Sequence, residues 1–217
     1  WTNLLLPTEA KPERVGCAPC ANTTEQQAAT RHRKITVLFT DAAAKRYSPK
    51  VLILYRIMRR PERNEYAPFY EGYVSSIPED DVTGVLEAQS AELETMITDL
   101  SEEKGMFAYA EGKWTVKELL GHIIDGERVF GYRLHRISHG DTTPLAGFDQ
   151  DIYVNNGRSH LRTFRDLMDE FTAVRRANLC LIRSLRNEDW DLAGTASDAS
   201  VTVRALTFIM AGHMRHH

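Results

Sequence analysis

Beyond residue 80, apolar residues recur at intervals of three and four, the period of helices that each bury one face. The first such stretch carries Val82, Val85, Leu86, Gln89, Leu93, Met96, Ile97 and Leu100, with Asp80 or Asp81 placed to cap it. The second carries Val116, Leu119, Leu120, Ile123, Ile124, Phe130, Leu134 and Ile137 and ends at Ser138-His-Gly140. It opens on Thr115-Val-Lys-Glu118, a capping box whose hydroxyl and carboxylate satisfy opposite orphan amides, with Trp114 and Leu119 at the hydrophobic-staple positions. A connection of about 18 residues follows, long enough to suggest a lid or a packed loop. Ser159 is the expected cap of a third helix through Leu161, Phe164, Leu167, Met168, Phe171, Val174, Asn178, Leu181, Ile182 and Leu185. The turn-rich run from Asn187 to Asp198 breaks it, and Ser200 is expected to start a fourth, with Leu206, Ile209, Met210, His213 and His217 in register. Four amphipathic helices with no convincing strand predict an all-α fold, a four-helix bundle.

The first 57 residues have a different character. Lys34–Thr40 and Lys50–Tyr55 could each be a strand, but no third is present to complete a sheet. Residues 1–60 hold 11 Lys and Arg against 4 Asp and Glu, and residues 61–217 hold 16 against 26, so a basic segment precedes an acidic body. That charge is diluted by Ala, Thr and aliphatic residues, so nucleic acid is not the expected partner. The polar run after Met58 would suit a native amino terminus. Residues 1–57 are therefore expected to form an extension of uncertain structure that need not belong to the natural protein, and 58–217 the bundle.

Composition narrows the class further. With 42% hydrophobic and 26% charged residues the 217-residue chain matches globular proteins. No apolar run approaches the roughly 18 residues of a membrane span. Three cysteines, with Cys17 and Cys20 close together, fit neither a disulfide framework nor a complete zinc or redox motif, so a cytoplasmic location is expected.

The histidines carry the candidate chemistry. His213 and His217 are one turn apart on the apolar face of the fourth helix, and His122 borders the apolar stripe of the second. Buried imidazoles without a counter-ion are costly, whereas a divalent cation turns them into ligands; three histidines from two helices would leave a coordination position open to water or substrate. The competing reading makes His122 a hydrogen-bonded border residue and the terminal histidines solvated. His216 is expected to face outward, and His32, His135, His139 and His160 to be solvated. Ligand imidazoles must be neutral, so metal retention is expected to fall as pH drops through roughly 6.5.

Gly112-Lys-Trp-Thr-Val-Lys-Glu-Leu-Leu-Gly-His122, Ile123-Ile-Asp125-Gly-Glu127, Gly140-Asp-Thr-Thr-Pro-Leu-Ala-Gly-Phe-Asp149 and Ala211-Gly-His-Met-Arg-His-His217 together resemble the DinB/YfiT-like superfamily of metal-binding four-helix bundles over about residues 62 to 217. The resemblance implies a divalent ion, nickel or zinc, on His122, His213 and His217, and a frequent homodimer. It also implies, for several relatives, transferase or isomerase chemistry with a low-molecular-weight thiol acting on a small-molecule substrate. Asp125, and with less support Glu127, could orient a ligand imidazole or act as catalytic base, although both suit a plain helix surface. Phe148, Asp149, Asp151 and Tyr153 could close over the site. Relatives continue the last helix beyond the position of His217, so the bundle is expected to be truncated there and a ligand at its fraying end to bind weakly. A non-catalytic metal- or small-ligand-binding stress module is the alternative.

Overall fold

The computed structural model describes residues 59–217; the two candidate strands, the Cys17–Cys20 pair and the expected extension 1–57 lie outside the described residues. The polar run that begins at Arg59 leads through 3-10 turns at Arg63–Glu65 and Pro68–Tyr70 into the short helix α1 (Glu71–Ser75). α2 (Val82–Thr98) is capped by Asp81, whose carboxylate accepts from Gly84 N at 3.0 Å. α3 (Val116–Ser138) starts on the expected capping box: Thr115 Oγ1 accepts from Glu118 N at 3.2 Å, and Glu118 Oε2 from Thr115 N at 2.8 Å.

Three expected boundaries move. The long connection contains its own helix, α4 (Gln150–Gly157), capped by Asp149. The next long helix, α5 (Phe164–Ser184), is capped by Thr163 and not by Ser159, which lies in a 3-10 turn; Leu161, assigned to the apolar stripe, is 74% exposed. Ser159 is instead packed onto α3, where a Cβ on Gly121 would overlap its hydroxymethyl group. Ser200 does not start the last helix either. It belongs to a hairpin of β1 (Ala193–Ala196) and β2 (Ala199–Thr202), joined through Ser197 and Asp198, both at positive φ as a tight two-residue turn requires. Thr202 caps α6 (Val203–His216), accepting from Ala205 N at 3.0 Å. The hairpin went unseen because Ala193-Gly-Thr-Ala196 carries no large alternating residues.

α2, α3, α5 and α6 form the bundle, with α1 laid against α6. α6 is its central rod: every residue from Val203 to His213 is buried, so the stripe of Leu206, Ile209 and Met210 is only part of the buried surface. Gly212 lets the Tyr73 backbone carbonyl of α1 approach to a distance that any side chain would block. Two apolar clusters fill the interior. One is built around Phe130, Leu134, Leu206 and Met210, the other around Leu93, Ile124, Leu167 and Phe171.

A polar layer separates them at one level on all four long helices. Gln89 lies between Leu86 and Leu93 on α2, Glu127 between Ile124 and Phe130 on α3, Arg175 and Asn178 after Phe171 on α5, and His213 after Met210 on α6. None of the described helices is long and apolar enough to cross a membrane.

Candidate metal centre

The caps at Thr115 and Thr202 set the phases of α3 and α6, and those phases turn His122 and His213 into the interior, where they are 2% and 4% exposed. His217 follows one turn beyond His213, and its amide donates to the His213 carbonyl at 3.3 Å, so helical bonding reaches the last residue. His122 Nε2 lies 3.0 Å from His213 Nε2 and 3.1 Å from His217 Nε2. All three ligand-capable nitrogens lie within 4.8 Å of one another.

The surroundings make this convergence costly without a cation. Burial lowers the His122 pKa to about 4. Burial, followed by the neighbouring His122 and His217, lowers that of His213 to about 2, and burial then His122 lowers that of His217 to about 4. The rings are therefore neutral near pH 7, and each carries one N–H and one lone pair. Nitrogens that face each other across 3 Å cannot all find a donor, and His122 Nδ1 is buried with no hydrogen-bond partner. Ligand nitrogens around a divalent ion at about 2.1 Å are separated by about 3.0 to 3.4 Å for right-angled or tetrahedral geometry, so the two pairs made by His122 match such an ion, and a small rotation of the His217 ring would bring the third nitrogen into the same range. The free Nδ1 of His122 departs from the usual pattern, in which the second ring nitrogen of a ligand has its own acceptor.

Aromatic walls hold the rings in place. Trp114 lies 4.8 Å from His122, so it faces the site; Tyr73 and Phe130 present edges to His213 at 5.5 and 5.3 Å. On α3, a Cβ at Gly126 would sit 2.5 Å from His213 Cε1. Gly126→Ala is expected to push the His213 ring aside and weaken metal binding by about tenfold or more, as misplacing a ligand does; titration calorimetry with zinc would measure this, and unchanged affinity would mean that the ring has room to spare.

The pKa shifts also move the acid limit. Each imidazole has a folded pKa below the unfolded value near 6.5, so the unfolded chain binds more protons and stability falls as pH drops from about 6.5 towards 4. Metal-free protein is expected to lose on the order of 1–3 kcal/mol between pH 7 and pH 4.5 through each of His122 and His213. Denaturant midpoints across that range check this, and a flat profile would refute it. Proton competition for a bound ion is displaced in the same direction, below the window expected for ordinary histidines.

A cleft of about 610 Å³ opens beside His217, with Phe107, Tyr109, Trp114 and Leu119 as its apolar wall and Lys113 and Asp151 as its charges. His216 is exposed, as expected, at the margin of this cleft, with its ring against Tyr73 and His217. His135 and His139 are exposed, while His160 is half-buried beside Glu118. The four loop residues considered as a cover divide: Asp151 lines this cleft, Asp149 caps α4, and Phe148 and Tyr153 line a different one.

Asp125 is half-buried and outside the three-histidine group; burial first, then Glu170, raises its pKa. Glu127 is not the surface acid that its neighbours suggested. It is 2% exposed and pairs with Arg175, Nε to Oε2 at 2.9 Å and Nη2 to Oε1 at 2.7 Å, and it accepts from Asn178 Nδ2 at 3.0 Å. Arg175 also donates to Gln89 Oε1, to the Leu86 carbonyl and to the sulfur of Met214, the residue after His213. Sequence reasoning missed Arg175; the one available signal was its place on the same side of α5 as Phe171 and Asn178.

A sequence-family model described as the DinB superfamily matches residues 86–217. Among solved structures, YfiT from Bacillus subtilis, described as a probable metal-dependent hydrolase with an unusual four-helix bundle topology, matches at a TM-score of 0.61 and 15% identity over 74% of this chain and 87% of that one. A mycothiol-dependent maleylpyruvate isomerase matches at a TM-score of 0.55 and 11% identity over 66% of this chain and 60% of that one. No curated protein matches the chain in sequence.

Proposed function

The chain belongs to the DinB superfamily, and from that we propose that it holds a divalent metal on His122, His213 and His217 and catalyses a transfer reaction between a low-molecular-weight thiol and a small-molecule substrate. The observation that carries the reading is the approach of the neutral His213 and His217 nitrogens to His122 Nε2, at 3.0 and 3.1 Å, with all three within 4.8 Å at the wall of an open cleft. The mycothiol dependence of one structural neighbour supports the thiol.

A bound ion would supply Lewis acidity, lowering the pKa of a thiol or of water at a position left free by the histidines. The chain's own residues do the rest. Phe107 and Trp114 exclude water from one side of the cleft and offer apolar surface to the substrate, and Lys113, over the Tyr109 ring at 5.9 Å, offers positive charge to an anionic part of it. Asp125, half-buried three residues after His122 on α3, is the proposed base; it does not line the cleft, so it would act through a ligand imidazole or a water and not on the substrate directly. A homodimer is part of the proposal, to be checked by solution mass.

Cobalt substitution of the full chain provides the test. The visible spectrum is expected to change on adding mycothiol or bacillithiol. A cobalt site that takes up one ion yet ignores both thiols would remove the transfer reading. Such a site, if accompanied by ester or amide cleavage, would favour the hydrolase reading suggested by the YfiT description; without it, a non-catalytic module.

A further inference from the structure

Three arginines are buried among the described residues, and two of them face carboxylates: Arg175 pairs with Glu127, and Arg204 with Glu65 and Asp191. Arg133 on α3 is the exception. It is 2% exposed, and its partners are all neutral: Tyr70 Oη at 3.2 Å, the Ala146 carbonyl at 3.0 Å and Ser197 Oγ at 2.8 Å. These bonds use three of the five guanidinium N–H groups, and among the described residues Nε–H and one Nη1–H make no hydrogen bond; Nε is not one of the buried unpartnered atoms, so it stays accessible from the cleft. A guanidinium keeps its charge at any accessible pH, so the fold carries a desolvated cation that neutral acceptors offset only in part.

Arg133 borders a cleft of about 510 Å³ between α3 and the segment 143–148, and none of the described residues lining it is acidic. Arg128 and Arg136 lie on the same lining; they have carboxylate partners in Glu170 and Asp141, which leaves Arg133 as the uncompensated charge. The walls are aromatic. Tyr132 is 54% exposed with the Arg136 guanidinium 5.4 Å over its ring, and Tyr153 is 43% exposed with Phe148 at 5.1 Å. Arg133 follows His122 by eleven residues, roughly 16 Å along the helix, and the cleft shares no lining residue with the one beside His217.

We propose that this cleft is a second ligand site, separate from the three-histidine centre, and that it takes a small planar anion: a ring lying against Tyr132 and Tyr153, bearing an oxyanion group directed at Arg133. The arrangement also accounts for the Gly140–Asp149 segment, which the metal centre does not use. Leu145 is bridged to Ala196 beside the hairpin turn, and the Arg133 bonds to Ala146 and Ser197 hold strap and turn together as the outer wall. A structural clasp alone needs donors there; it does not need a full charge facing an open, acid-free cleft.

The test uses the full chain treated with EDTA, so that binding at a metal cannot contribute. Titration calorimetry with benzoate and with phenyl phosphate is expected to show one saturable site, at least about tenfold tighter than acetate, inorganic phosphate or benzyl alcohol, since charge and ring act together. The tighter of the two aryl ligands identifies the anion as carboxylate or phosphate. Failure of both to bind, or equal binding of the ring-free anions, overturns the proposal, as does binding that EDTA treatment abolishes. Arg133→Gln removes the charge and should abolish binding; because a buried variant can fail to fold, Tyr132→Ala at the half-exposed wall serves as the second variant. It is expected to weaken aryl binding about fivefold, and unchanged affinity would refute the site.

Discussion

Replacing His213 with alanine is expected to lower zinc or nickel affinity at least about 100-fold, because a ligand lost from a three-point site costs more than a lost outer-shell partner. His216→Ala, one residue before His217 and outside the three-histidine group, is expected to retain affinity within about threefold, since its ring makes only an edge contact with His217. Elemental analysis after dialysis and calorimetric titration measure both. The geometry predicts a further difference in stability. Removing His213 also relieves the unsatisfied nitrogens facing His122, so the metal-free variant should lose less than an ordinary core truncation, while the increment in Tm that metal gives the parent should vanish. Equal metal loss in the two variants would refute the assignment of ligands.

Glu127→Ala is expected to cost about 3–5 kcal/mol, because it strands Arg175 in an interior where both groups are 2% exposed or less. For a bundle of this size the midpoint should fall by on the order of 10 °C. Arg175→Met combined with Glu127→Leu removes both charges and is expected to recover most of the loss, because the low-dielectric interior penalises the unpaired ion more than it rewards the pair. Urea denaturation of the parent and both variants decides the matter: a loss under about 1 kcal/mol for Glu127→Ala would show that water reaches the pair. Arg175 also donates to the sulfur of Met214 beside His213, so the single variant should weaken metal binding as well.

The helical core of the fold is legible because its signals are local. The capping box at Thr115 and the Asp81 cap bind amides within three residues, and the stripes of α2, α3 and α5 follow from one period. Misplaced starts have local causes too. Ser159 precedes an apolar Leu161 and so looks like a cap, but Thr163 competes for the same role and its hydroxyl accepts from Asp166 N at 3.1 Å. The hairpin was hidden because its strands are short and built of Ala, Gly, Ser and Thr, and are held by pairing and by Leu145 from a distant segment.

By itself the sequence determined that four long rods form and which face α2, α3 and α5 bury, because caps and periodicity are properties of neighbours along the chain. From this it could put His213 and His217 on one side of α6 and His122 at the edge of the α3 stripe. Only the tertiary structure decided that the His213 and His217 nitrogens each approach that of His122 to about 3 Å, that Glu127 and Arg175 meet inside the bundle, and that Arg133 has no carboxylate partner among the described residues. The difference is physical: these outcomes depend on rotation and offset between helices distant in the chain, which are set by packing of whole faces and not by any one stretch of residues.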